Sequence, residues 1–251
     1  MLAGRSARVW SLVAAQAARR GGAVSAEDVC AAALTAVAVS GAGLTAATRA
    51  GSGHVMCATD GISEQIAELE LTLGEGPAPD AATAAGPVLA SDLAAADVEI
   101  RWPSFAPAAR QAGASAIFAF PLQIGAIRVG VLEMYRSEPG PLDADQLGDA
   151  LVLADTAAVL LLEGTNWAGG GAGPMASFGG QPPYLALHRA EIDQATGMLT
   201  EQLQVGIEEA FVRLRAYAYA QERRLTDVAG DIVARRLRLE ADPDIPADGA
   251  R

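Results

Sequence analysis

The chain contains no lysine: all 18 of its basic residues are arginine, set against 30 acidic residues for a formal net charge of -12. That balance excludes a polybasic tail aimed at membrane or nucleic acid. Aromatic residues make up only 5% of the chain, so a large aromatic-lined cavity is not expected, and the abundant alanine favours helix. Cysteine is nearly absent. Cys30 and Cys57 fit no zinc-knuckle or thioredoxin-type spacing and are too few for a disulfide scaffold. No apolar run approaches the roughly 18–20 residues that span a bilayer; the longest, 29–39 and 156–162, fall well short. Arg5 and Arg8 precede an apolar stretch at 9–15 that resembles a signal peptide, but Gln16, Arg19 and Arg20 cut it short. An amphipathic helix of a cytoplasmic protein is the expectation there.

What is present divides in two. The 251 residues suffice for one large domain or two small ones. Residues 164–183 hold seven glycines and three prolines without helical or strand period, which reads as a flexible linker with a root-mean-square reach of about 25 Å. Before it, at 1–163, the hydrophobic period alternates between helix and strand. After it, at 184–239, the period is helical throughout, and 240–251 reads as a disordered acidic tail. The expected class is α+β: an antiparallel sheet flanked by helices, then a small three-helix unit.

In the first domain, Ser25 and Asp28 stand at capping-box spacing, with Asp in place of Glu, and open a helix reaching about residue 40. Strands are expected at 44–49 and 54–59, and a helix at 62–73 stopped by Gly74-Glu75-Gly76-Pro77. A loop follows. Trp102-Pro103 would open a helix ending near Gly113, strands at 116–121 and 127–135 flank a turn at Ile124-Gly125, and a long helix begins near Leu142.

The wording of this segment is specific. Leu73-Gly-Glu-Gly-Pro77, Gly86-Pro-Val88, Ser91-Asp-Leu93, Arg101-Trp-Pro103, Phe120-Pro-Leu122 and Gly130-Val-Leu-Glu-Met-Tyr-Arg136 resemble, in order, the GAF sensory domains of actinobacterial regulators. The resemblance implies a six-stranded sheet with helices on one side that dimerises through them, and a small-molecule signal held on the other. The asparagine-lysine-aspartate set of the cyclic-nucleotide-binding subfamily cannot be matched without lysine. No cofactor is indicated. Candidate pocket residues are His54 and Cys57 in one strand, Glu75 and Asp92 in the loop 74–93, and Trp102, which beside Arg101 could stack on a ligand. Each has a plainer reading: a solitary strand histidine, turn residues, and a tryptophan packed at a helix start. His54 and Cys57 are also too few for a closed metal site.

In the second domain, Leu185, Ile192, Ala195, Leu199 and Leu203 form one apolar stripe. Ile207, Ala210, Phe211, Leu214 and Ala218 form a second, and Leu225, Val228, Ala229, Ile232 and Val233 a third. Gly197, in mid-helix, would permit close approach of another backbone. Seven arginines (213, 215, 223, 224, 235, 236, 238) face three acids (222, 227, 231) between 213 and 238, a local charge of +4 on an acidic chain. Beside Tyr217 and Tyr219 this is the composition for contacts to phosphates and unstacked bases; a solvated arginine face is the alternative.

Ile192-Asp-Gln-Ala-Thr-Gly-Met-Leu199, Glu209-Ala-Phe-Val-Arg-Leu-Arg215 with Ala218, and Leu225-Thr-Asp-Val-Ala229 with Ile232-Val233 resemble the ANTAR domain, a three-helix RNA-binding module of bacterial antitermination regulators. The resemblance implies dimerisation and binding of RNA hairpin loops in nascent transcripts, which prevents an overlapping terminator. Ala195, Gly197, Ala210, Leu214, Ala218 and Ala229 match structural motif positions, and Arg215 matches a motif arginine expected to reach RNA. Gln194, Thr196, Gly197, Arg213, Arg223, Arg224 and Thr226 complete the candidate RNA surface. Thr196 stands where lysine is common, so a phosphate contact is expected to be missing.

Two other functions compete. Three short helices also build DNA-binding helix-turn-helix units, but the connection 220–225 lacks the glycine common in that turn. An enzyme such as a GAF-type methionine sulfoxide reductase would want two neighbouring cysteines, and Cys30 and Cys57 fall on separate elements. The expectation is a non-enzymatic, cytoplasmic, homodimeric sensor that binds RNA.

Overall fold

The computed structural model describes residues 2–47, 54–84, 86–167 and 183–239. Two amphipathic helices come first. In α1 (Leu2–Arg20), Val9, Val13 and Ala17 turn inward. In α2 (Ala26–Ala36) the N-terminus closes as the capping box anticipates, with the Ser25 N–H donating to Asp28 at 2.8 Å. Arg20 adds a charge-assisted bond to the same carboxylate at 2.7 Å, so Asp28 is buried yet satisfied.

Five antiparallel strands follow: β1 (Gly41–Ala46), β2 (His54–Ala58), β3 (Val88–Ala90), β4 (Ala116–Ile124) and β5 (Ile127–Arg136). Their spatial order is β2-β1-β5-β4-β3. The resemblance implied six strands; among the described residues there are five. The turn at Gly125, where φ is 60°, joins β4 to β5, the longest pair.

Strand alternation sends side chains to two separate cores. Phe118, Phe120, Leu122, Leu132 and Met134 pack with α1, α2 and α7 (Ala144–Trp167). Ile117, Ala119, Val131 and Tyr135 pack with α3 (Gly61–Leu73), α4 (Pro77–Ala84) and α6 (Phe105–Ala112). Helices therefore cover both faces, not one. The segment expected as a loop, 74–93, contains α4 and β3, because Pro77 sits at a first helical position, where its missing N–H costs nothing. Trp102-Pro103 does not open a helix: α5 (Ala96–Arg101) ends there and α6 begins at Phe105.

Cys30 and Cys57 also depart from expectation. Folding α2 across β2 joins them in a disulfide, so lying on separate elements does not keep them apart. Both are buried, at 1% and 3% exposure.

The C-terminal helices are α8 (Pro183–Leu203), α9 (Ile207–Ala220) and α10 (Leu225–Val233). The three stripes read from the sequence close on one another: Ile192, Ala195, Leu199 and Leu203 meet Ala210, Phe211, Leu214 and Ala218, and both meet Leu225, Val228, Ala229 and Ile232. Gln202 ties the end of α8 to the Leu239 carbonyl. No helix among the described residues is long and apolar enough to cross a membrane. Of the linker expected at 164–183, residues 164–167 belong to α7 and Pro183 opens α8; 168–182 and the tail 240–251 lie outside the described residues.

Candidate nucleic-acid interface and the cleft beneath it

The arginines that the sequence groups together separate into three environments. Arg213 and Arg223 are engaged within their own domain, with Glu209 at 2.6 Å and Asp231 at 2.6 Å. Asp231 also receives Arg236 at 2.7 Å, and these hydrogen bonds hold its carboxyl below the usual range. Arg224, Arg235 and Arg238 stand exposed with no ion pair among the described residues. Arg215 is turned the other way.

The reason is helical geometry: residues two apart on a helix point to nearly opposite sides, so Arg213 and Arg215 cannot share a surface. Arg215 lies across the end of α3, where its Nη2 donates to the Leu73 carbonyl at 3.5 Å and its guanidinium carbon sits 5.8 Å from the Phe211 ring centre. Its Nε is buried without a hydrogen-bond partner, and burial pushes the guanidinium pKa down. Thr226 is drawn to the same junction, its N–H 3.5 Å from Glu68 Oε1 on α3. Leu71 packs into the helical core. Arg215 and Thr226 thus face the first domain in this arrangement, while Gln194, Gly197 and Arg224 face solvent.

Thr196 and Gly197 need correction. Thr196 is buried and its hydroxyl donates to the Ile192 carbonyl at 2.7 Å, so it presents nothing to RNA. Gly197 is exposed with no atom within 4 Å of where a Cβ would stand, so no backbone approaches it. The missing glycine in the α9–α10 connection also loses its force, because Glu222 itself adopts the left-handed conformation with φ 51°.

Beneath Arg215 lies a cavity of about 480 Å³ on the outer side of the sheet, under α3 and α4. Glu70, Arg128, Phe211 and Arg215 are its functional side chains, with Arg128 held by the Ala82 and Thr83 carbonyls at 2.8 and 3.3 Å. Glu70 accepts the Ala78 N–H at 2.7 Å. It is buried beside Glu133 of β5. Burial pushes both carboxyls up, Glu133 to about 7 and Glu70 well above the usual range, so the pair retains a proton at neutral pH.

Of the pocket residues expected from the sequence, Cys57, Glu75, Asp92 and Trp102 do not line this cavity. Cys57 is bonded to Cys30 on the opposite side of the sheet. Glu75 accepts the Ser104 N–H at 3.0 Å, tying the end of α3 to the start of α6, and exposed Asp92 accepts the Ala94 N–H at 2.9 Å in a local turn. Trp102 is core: it is 2% exposed, donates to Asp80 at 3.1 Å and meets Phe105 edge-on. The side chain of His54 lies outside the described residues. No cluster of metal-ligating side chains exists among the described residues.

Comparisons with known proteins agree with the two-part reading. Residues 186–233 match the ANTAR domain family. The chain is similar to the GAF domain of a phosphoenolpyruvate-protein phosphotransferase from Coxiella burnetii, with a TM-score of 0.50 and 14% identity over 65% of this chain and 98% of that one. It is also similar to the corresponding domain from Acinetobacter, with a TM-score of 0.48 and 12% identity over 67% and 97%. A domain of a sensor histidine kinase from Sinorhizobium meliloti gives a TM-score of 0.44 and 19% identity over 55% and 88%. No curated protein matches the chain significantly. The chain carries an ANTAR domain at 186–233 behind a domain of GAF-like fold.

Proposed function

We propose that this protein is a signal-responsive cytoplasmic regulator that binds RNA hairpin loops in nascent transcripts through α8–α10 and controls transcription by antitermination. The observation that carries the reading is the ANTAR match at 186–233, which falls on a unit whose three apolar stripes enclose their own core. Exposed Arg224, Arg235, Arg238 and Gln194 supply the donors that splayed loop bases and phosphates accept. The first domain acts as the sensor for a small molecule. The protein performs no catalysis in this reading: Cys30 and Cys57 are buried, and in a reducing compartment the two thiols pack as small apolar side chains.

A homodimer forms through α1 and α7 of the first domain. Trp10, Leu151 and Val159 leave apolar surface on these helices, each at least 43% exposed. The alternative, a DNA-binding regulator, rests on the three-helix geometry and on the helix-turn-helix-like corner at Glu222. The reading is tested by titrating the full chain with hairpin RNA and with duplex DNA side by side: the hairpin binds more tightly, with a salt dependence set by the arginines it engages. Preference for duplex DNA would favour the alternative.

A further inference from the structure

The cavity under Arg215 is built by both domains. Its floor and one wall come from the sheet, α3 and α4; its remaining wall is Phe211 and Arg215 of α9. It is therefore complete only while the helical domain rests on the first. Most of its surface is apolar, contributed by Val55, Ala67, Leu71, Ala78, Val131 and Phe211. Two guanidinium groups, Arg128 and Arg215, stand against one lining acid, Glu70, which is engaged with the Ala78 N–H and with Glu133. Arg215 is the unsatisfied member: its Nε is buried with no partner among the described residues, and its hydrogen bond to Leu73 is long at 3.5 Å.

We propose that this interdomain cleft binds a small organic carboxylate with an apolar body, whose carboxylate pairs with Arg215 and Arg128 and thereby holds the RNA-binding domain against the sensor domain. A planar guanidinium matches a carboxylate through two parallel N–H···O bonds. A cavity of this size lies within the range that takes a small organic ligand. The coupling to RNA rests on the function proposed above. An anion that engages Arg215 in the cleft stabilises the docked arrangement, and by reciprocity of linked equilibria it opposes any RNA contact made by the same arginine.

The test uses the full chain. Benzoate and hexanoate serve as probes, with benzamide and hexanamide as uncharged counterparts of the same shape. The carboxylates raise the melting temperature saturably and the amides do not. Arg215→Gln and Arg128→Gln each abolish the rise, with folding checked by circular dichroism. Gly74→Ala is the second variant: its new Cβ would occupy the position of the Arg215 guanidinium, so it too abolishes the rise while both arginines remain. Absence of any carboxylate effect, an equal effect of the amides, or an unchanged rise in Arg215→Gln overturns the site. In a separate arm, saturating benzoate weakens hairpin RNA binding by about five-fold or more. Equal RNA affinity with and without benzoate overturns the coupling. Failure of RNA to bind at all refutes the proposed function and leaves the ligand arm standing on its own readout.

Discussion

Arg215 and Leu73 lie 142 residues apart, yet the Arg215 guanidinium donates to the Leu73 carbonyl across the junction of the two domains. The motif arginine expected on an RNA surface is thus held by the domain expected to sense the signal. In the proposed function, RNA access and domain docking draw on one side chain.

Arg215→Ala weakens hairpin RNA binding by about 1–3 kcal/mol, the usual cost of losing a charged contact to nucleic acid. Filter binding of the folded variant measures it. Arg8→Ala is the control: Arg8 pairs with the buried Asp149 of α7 at 2.5 Å, so its loss lowers the stability of the first domain by about 1 kcal/mol and leaves RNA affinity unchanged.

Gly74→Ala acts in the opposite direction. Gly74 ends α3 in the left-handed conformation with φ 70°, so alanine there costs about 1–2 kcal/mol of stability. It also displaces the Arg215 guanidinium. The expected result is a slightly lower melting temperature together with tighter RNA binding. Weaker RNA binding would show that docking does not restrain the helical domain.

The buried Glu70–Glu133 pair makes the first domain sensitive to alkali. Both carboxyls are raised in the folded protein, Glu133 to about 7 from an ordinary value near 4.5. The folded state therefore holds protons that the unfolded chain releases. Their stabilisation is fully present below about pH 4.5, and the share from Glu133 is lost as pH rises through about 7. Thermal denaturation from pH 5 to 8 shows a falling melting temperature, and Glu133→Gln flattens the slope. A melting temperature that rises over this range would contradict the assignment.

Leu151→Glu, alone or with Trp10→Glu, converts the protein to a monomer, since both positions carry exposed apolar surface on α7 and α1. Sedimentation equilibrium at micromolar concentration reads the change. A wild-type protein already monomeric there would remove this dimer.

Much of the architecture was legible because it rests on local periodicity. The three stripes of α8–α10 and the β4–β5 hairpin are written in consecutive residues, and so is the Ser25–Asp28 cap. What depended on tertiary docking was not. Arg213 and Arg215 look equivalent in a charge count, and only the packing of α9 on α3 separates them. Glu70 and Glu133 become one group only when α3 crosses β5, and Cys30 meets Cys57 only when α2 crosses β2. Gly74-Glu75-Gly76-Pro77 suggested a loop where Pro77 begins α4. The cleft drew on the docking of α9 on α3 and of α3 and α4 on the sheet, so none of its polar residues had a local signal apart from Arg215.

The most direct measurement compares the full chain with the segment 184–251 for affinity to a single RNA hairpin, which removes any advantage from two linked domains. The helical core is built by α8–α10, with Leu71 of α3 packed against it, and circular dichroism checks that the segment is folded. The account predicts that the segment binds the hairpin, and more tightly than the full chain, because Arg215 is no longer held at Leu73. A folded segment that fails to bind hairpin RNA would contradict it.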